Sequence, residues 1–389
     1  MSAAPAAGDV PLKVLIVDDQ PIIAEAVRRM LLSQPGIQLT ACNAGAEAVA
    51  RARELAPDVI LQDLVMPDAD GLDLVRAYRQ EPDLARTPLI VLSVKEEPAT
   101  KAEAFARGAN DYLVKLPDPV ELVARIQYHA RANRAQMERD AAFNALRAEL
   151  DSAAHYVQSL IPEPVDGRVR TRWSFVPSAS LGGDSFGYHW ISEDRLAVYL
   201  LDVCGHGVGP ALLSVSVMNA LQVNALGGAD PNDPGAVLTA LNEMFPMTKH
   251  NGMFFTMWYG VADLATRTLR YGSGGHPPAL LAMPDGSDRR LGGDDPVSGP
   301  MIGAFPGLTY GSAEVPLPPS ARLYLYSDGI HELMRADGTL WSLEEVLQGA
   351  SSEARGPDGA VERLVARSRR WQGRDDFEDD VSVLEVVFP

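Results

Sequence analysis

The stretches KVLIVDD (residues 13–19) and DVILQDL (58–64) each run several consecutive aliphatic residues up to an aspartate, directly in the first and after one glutamine in the second. Unbroken Val, Ile and Leu, instead of apolar–polar alternation, is what a strand covered on both faces of a parallel sheet requires. Shorter runs of the same kind lie at residues 89–92 and 112–114, so strand candidates recur at 14–17, 59–61, 89–92 and 112–114. The intervals carry helical spacing, as in Ile22, Ala26, Arg29 and Met30, or Leu72, Val75 and Tyr78. Strands alternating with amphipathic helices predict an α/β domain over residues 13–131, a doubly wound, five-stranded parallel sheet. Residues 1–12, MSAAPAAGDVPL, lack such a pattern and are expected to be disordered.

In such a sheet ligands bind beyond the carboxyl ends of the strands. Asp18 and Asp19 end the first strand, Asp63 the next, Ser93 the third, and Lys115 follows the last. Three carboxylates gathered there repel by about 3 kcal/mol per pair at ~5 Å and an effective dielectric of ~20. A lysine and a hard divalent cation would relieve this, and Mg²⁺ is the natural candidate. The motifs VDD (17–19), QDLVMPDADG (62–71), VLS (91–93) and YLVK (112–115) resemble the receiver domain of response regulators. That resemblance implies Asp63 as phosphoacceptor, with Asp18, Asp19, Asp63 and the Val65 carbonyl holding Mg²⁺. It implies Ser93, Tyr112 and Lys115 as the switch and phosphoryl-binding residues, and a histidine kinase upstream. One departure stands out: the proline that usually follows the lysine is displaced, giving Lys115-Leu116-Pro117.

A chain of 389 residues is too long for one ordinary core, so a second domain is expected. A formal charge of −18 opposes binding to nucleic acid or anionic lipid. Cys42 and Cys204 fall in different domains without metal-ligand spacing, which fits a reducing compartment. Without a basic, apolar leader or a membrane-length apolar run, a cytoplasmic location is expected. Residues 120–161 contain neither proline nor glycine, and residues 132–161 read as a helical linker. Its apolar positions Phe143, Leu146, Leu150, Ala153, Val157 and Leu160 step by three and four, a short heptad seam. The seam serves either a dimeric coiled coil or packing on the chain's own domain.

Residues 162–389 change texture. Strand-like segments (196–203, 255–263, 269–272, 322–327 and 381–388) alternate with Gly/Pro turns, and helical stretches lie near 210–226, 235–245 and 359–371. This is an α+β pattern with largely antiparallel strands. Five islands carry the chemistry: LGGD (181–184), LDVCGHG (201–207), GSGGHPP (272–278), YSDG (326–329) and DDVS (379–382). Aspartates from four of them would be neutralised by two divalent cations, a pairing that acidifies water and clamps a phosphoryl group. Carboxylate ligation favours Mn²⁺ or Mg²⁺.

In this order, and preceded by VQSLIPE (157–163), the islands resemble the SpoIIE/RsbU-type branch of metal-dependent protein phosphatases, relatives of protein phosphatase 2C. The resemblance implies a β-sandwich with flanking helices, metal ligands Asp184, Asp202, Asp328 and Asp379, and an added oxygen from the Val203 carbonyl. Asp202 would bridge two Mn²⁺ or Mg²⁺ ions. His206 and His276 belong to the motifs, with turn-fixing as their simplest role. Gly187 stands where many relatives carry a second aspartate, and Ala179 where the eukaryotic branch carries a phosphate-binding arginine. The implied function is a response regulator with phosphoserine/phosphothreonine phosphatase output, acting on a STAS-domain anti-sigma-factor antagonist and dimerising through the linker. The competing readings are a catalytically silent binding module and a DNA-binding regulator. The acidic balance and the lack of a helix-turn-helix after the linker oppose the latter.

Overall fold

The computed structural model describes residues 11–178, 181–223, 225–335, 337–354 and 359–389; most of the expected disordered N-terminus (1–10), and Ala179, lie outside them. The chain divides between Leu146 and Arg147 into two compact units.

The first unit runs β1 (Leu12–Val17), α1 (Pro21–Met30), β2 (Ile37–Cys42), α2 (Ala48–Leu55), β3 (Val59–Asp63), α3 (Gly71–Gln80), β4 (Leu89–Ser93), α4 (Pro98–Ala106), β5 (Asp111–Val114) and α5 (Pro119–Ser159). All neighbours pair in parallel, in the order β2-β1-β3-β4-β5. Alternate residues of each strand serve opposite faces. Val14, Ile16, Leu61 and Ile90 pack with Ala24 and Val27 of α1 and Leu122 and Ile126 of α5. Leu15, Val17, Ile60 and Val91 pack instead with Ala48, Val75, Tyr78 and Ala104 of α2, α3 and α4. Helices on both sides explain why these strands lack alternation. The chain reverses its direction of sheet growth between β1 and β3, so Asp18 and Asp63 share the crevice at the switch point. The fifth strand, β2, has no unbroken apolar run: IQLTAC sits at the sheet edge and is mostly half-exposed, pairing only with β1.

Helix α5 extends unbroken for 41 residues, as the absence of proline and glycine predicts. Arg134 grips both Asp58 oxygens at 2.7 and 2.8 Å, and Arg86 pairs with Asp140. Residues 141–149 are all exposed. Beyond them Leu150, Ala154 and Val157 pack with Leu181 and Ala211 of the second unit. Part of the heptad seam is thus used within the chain, while Phe143 and Leu146 stay open. Among the described residues no helix is long and apolar enough to cross a membrane.

The second unit continues β6 (Arg170–Val176), β7 (Ser185–Trp190), β8 (Arg195–Val203), α6 (Val208–Gln222), α7 (Pro234–Met244), β9 (Phe255–Asp263), β10 (Thr268–Gly274), β11 (Ala279–Ala282), β12 (Asp288–Leu291), β13 (Ser298–Gly299), β14 (Ala313–Pro316), β15 (Arg322–Tyr326), α8 (Leu343–Ala354), α9 (Ala360–Gln372) and β16 (Val381–Val387). One sheet has the order β13-β10-β9-β8-β7 with β14 also on β10; the other is β12-β11-β15-β16-β6. Pairing is antiparallel except between β10 and β13. Leu196, Val198 and Leu200 of β8 meet Leu323, Leu325, Leu384 and Val386 between the sheets. The alternate residues Ala197, Tyr199 and Leu201 face α6 and α7. Tyr324 and Tyr326 face α8 and α9 on the other side. The result is a sandwich of two sheets between two helical layers. Helix α8 escapes a reading of the sequence because LEEVLQGASSEA mixes glycine and two serines into its pattern.

Candidate metal centres

At the receiver crevice Asp18, Asp19 and Asp63 present oxygens all within 4.8 Å of one another. Lys115 Nζ lies 2.7 Å from Asp18 and 2.8 Å from Asp63, with all three side chains nearly closed to solvent. Burial pushes the Asp63 carboxyl above the usual range, although its bond to Lys115 pulls the other way. Burial likewise works against the Lys115 charge, but the bonds to Asp18 and Asp63 outweigh it and hold the ammonium above its ordinary value. One cation among three carboxylates leaves an excess that a divalent ion matches. An Asp19 oxygen is buried without a hydrogen-bond partner, as an ion ligand would be. The Lys115–Leu116 peptide is cis.

Ser93 is fully buried at the end of β4, and its hydroxyl accepts the Lys95 N–H at 3.2 Å. Tyr112 donates its hydroxyl to the Lys95 carbonyl at 2.6 Å, and Lys101 lies 5.5 Å from its ring centroid. Both switch candidates therefore hold the backbone of one residue, Lys95, which the motifs did not single out. Val65 follows Asp63 by two residues; its N–H eases the Asp63 charge, and the residue bridges to Asp70 in a tight turn.

In the second unit the two sheets each supply two carboxylates. Asp184 precedes β7 and Asp202 lies near the end of β8; Asp328 follows β15 and Asp379 precedes β16. Asp184 is 1% exposed, and both its oxygens are closed off without a hydrogen bond of good geometry. Burial, then the charges of Asp202 and Asp380, push its pKa well above the ordinary carboxylate value. Burial, then Asp328 and Asp379, push Asp202 up to about 7. Asp328 is raised to about 6 by burial, then by Glu332 and Asp379. Asp379 is raised chiefly by burial, with His206 opposing. Carboxylates that raise one another's pKa, with both oxygens of Asp184 unsatisfied, suit hard divalent cations. Gly183 is where this crowding meets the backbone: a Cβ there would stand 2.5 Å from the Val203 carbonyl oxygen.

His206 is exposed between Gly205 and Gly207, both in the left-handed region, at the turn into α6. His276 is buried, with Nδ1 2.8 Å from the Pro277 carbonyl, and burial drops its pKa to about 4. It stays neutral in the loop after β10. Asp380 and Glu332 enter the electrostatics without having been picked out in the sequence. The DDVS doublet was the available signal for Asp380; for Glu332 there was none beyond its place four residues after Asp328.

The Gly187 substitution has a physical reason. It pairs with Tyr199 across β7 and β8, and a Cβ at Gly187 would fall 2.4 Å from the Tyr199 hydroxyl. That ring is 1% exposed and stacked on Tyr259, so it cannot withdraw cheaply. The phenol fills the space an aspartate would need. Gly187→Ala is expected to destabilise the second unit by about 1–3 kcal/mol through overpacking. Urea denaturation would register this, and an unshifted midpoint would mean that Tyr199 yields freely.

These two centres and their scaffolds define a receiver domain joined to a protein phosphatase 2C-like fold. The chain belongs to the family described as Stage II sporulation protein E (SpoIIE), whose model matches residues 192–389, and residues 14–127 match the response regulator receiver domain. It is 30% identical over 186 residues to the phosphoserine phosphatase RsbP of Bacillus subtilis, covering 47% of this chain and 45% of RsbP. It is 32% identical over 145 residues to the DNA-binding response regulator MtrA of Mycolicibacterium smegmatis, covering 37% of this chain and 61% of MtrA. The chain thus spans only about half the length of these curated relatives. Among solved structures, the SiaA-PP2C domain of Pseudomonas aeruginosa superimposes with a TM-score of 0.54 at 23% identity, over 64% of this chain and 99% of that one. This last likeness concerns the fold.

Proposed function

We propose that the chain is a response regulator that hydrolyses phosphoserine or phosphothreonine on a protein substrate, under control of phosphorylation at Asp63 by a histidine kinase. The observation that carries this reading is Asp184: a buried carboxylate with neither oxygen in a hydrogen bond of good geometry, beside Asp202, which Asp328 and Asp379 raise in turn. A catalytically silent binding module would bear the cost of that cluster without using it. In this reading Asp184, Asp202, Asp328, Asp379 and the Val203 carbonyl hold two Mn²⁺ or Mg²⁺ ions, and Asp18, Asp19, Asp63 and the Val65 carbonyl hold Mg²⁺. Two ions so held supply an acidified water and charge neutralisation for a phosphoryl group. The protein's own part is to fix the carboxylates from two sheets at one end of a rigid sandwich. Ser93, Tyr112 and Lys115 read out the state of Asp63 in the receiver. The substrate we propose is a phosphorylated STAS-domain anti-sigma-factor antagonist, supported by the similarity to RsbP. Exposed Phe143 and Leu146 would carry a homodimer through α5.

The test is phosphate release by the full chain from phosphorylated STAS-domain proteins, with Mn²⁺ or chelator, with and without beryllofluoride. Release that needs Mn²⁺ and changes in rate with beryllofluoride is expected. If the folded chain binds such proteins yet releases no phosphate under any metal, the binding-module reading holds instead.

A further inference from the structure

Asp380, the second aspartate of DDVS, is 2% exposed and yet tied almost entirely to backbone far away in sequence. Its Oδ1 accepts the Ser178 N–H at 2.8 Å and the Ser178 hydroxyl at 3.0 Å. Its Oδ2 accepts the Gly183 N–H at 2.7 Å. Gly182 has no room for a side chain because a Cβ would fall 2.3 Å from that same Oδ2. The main chain of Asp380 binds the YSDG island: its carbonyl accepts the Ser327 hydroxyl at 3.1 Å, and a Cβ on Gly329 would stand 2.1 Å from it. Ser327 is locked in turn by Ser382, whose N–H donates to its hydroxyl at 2.9 Å. Asp380, Gly183, Ser327 and Gly329 each adjoin one of Asp379, Asp184 and Asp328 in the sequence.

We infer that Asp380 is a positioning residue that sets three of the four proposed metal-holding carboxylates in place, without itself holding an ion. This rests on the reading of the second unit as a metal-dependent phosphatase. The physical case is that a carboxylate accepting three charge-assisted bonds has little left to offer an ion, and those bonds pin Ser178 and the glycine-rich backbone before Asp184. An asparagine cannot replace it. Each oxygen takes a backbone N–H, so whichever end becomes NH₂ opposes a donor. Loss of Asp380 should then loosen the ligands and weaken ion capture, while leaving the filled site able to turn over.

The experiment is Mn²⁺ titration of the full chain by calorimetry, beside phosphatase kinetics against Mn²⁺ concentration. For Asp380→Asn we expect Mn²⁺ affinity for the second unit to fall about 10–100-fold, as for other groups that orient metal ligands. The kcat at saturating Mn²⁺ should stay within about fivefold of wild type, whereas Asp202→Asn should stay inactive at every Mn²⁺ level. Ser178→Ala removes one of the three donors and should weaken Mn²⁺ binding only a few-fold. If Asp380→Asn does not fold, Gly182→Ala carries the same test by displacing the carboxylate. Unchanged Mn²⁺ affinity in the folded variants overturns the inference. So does a kcat loss as deep as that of Asp202→Asn at unchanged affinity. A wild-type chain that binds no Mn²⁺ at this site and releases no phosphate would overturn the phosphatase reading as well. Normal wild-type behaviour with an indifferent Asp380→Asn overturns only the role of Asp380.

Discussion

Asp202→Asn is expected to lower kcat by at least a factor on the order of 10²–10³, the loss typical of removing a central electrostatic element from an active site. Asp202 raises Asp184 on its own sheet, and it is raised by Asp328 and Asp379 from the other. A group so placed suits the bridging role between two ions. The same substitution has an opposite effect on the metal-free fold. A carboxyl whose folded pKa is raised to about 7 costs stability as pH climbs above its ordinary value, and the cost is complete above about pH 7. Metal-free Asp202→Asn should therefore melt at a higher temperature than metal-free wild type at pH 8, and Mn²⁺ should lift wild type more than the variant. Differential scanning fluorimetry with and without chelator reads both signs. A folded variant that keeps most of its Mn²⁺-dependent turnover would sink the two-ion reading.

Asp63→Asn should reduce labelling by acetyl phosphate and Mg²⁺ to background. Asp63 lies 2.8 Å from Lys115 Nζ at the switch point of the sheet, so an incoming phosphoryl group would meet a cation already in place. Asp18 shares that lysine, but its other oxygen accepts the Gln20 N–H at 3.0 Å. Asp63 differs in closing its own strand, β3, beside that cation. Undiminished, acid-stable label on the variant would move the acceptor elsewhere.

The strand-end aspartates and lysine were legible because a parallel sheet lines up its carboxyl ends whatever the sequence distance between them. Apolar runs marked β1, β3, β4 and β5, since strands covered on both faces must be apolar throughout. The edge strand β2 is covered on fewer sides and so carried no such mark. The four carboxylates of the second unit were readable only through the motifs in which they sit. Asp380 was not, because its partners Ser178 and Gly183 lie about two hundred residues away and meet it only when β6, β7 and β16 are in register. The reason for Gly187 was hidden likewise: it depends on Tyr199 lying directly opposite on the next strand.

Residues 141–149 of α5 are all exposed, while the helix is fastened before them by Arg134 and Asp140 and after them by Leu150, Ala154 and Val157. An isolated helix of such length would not form in water, since initiation costs more than so few bonds return. Here initiation is already met at both ends, and the sequence AAFNALRAE is rich in good helix formers. The span should therefore behave as a single cooperative unit, wholly wound or wholly open. With no side chain packed over it, its opening free energy belongs at the low end of the molecule's range. Limited proteolysis would find this joint first, and the two fragments it released would each keep the core that folds them.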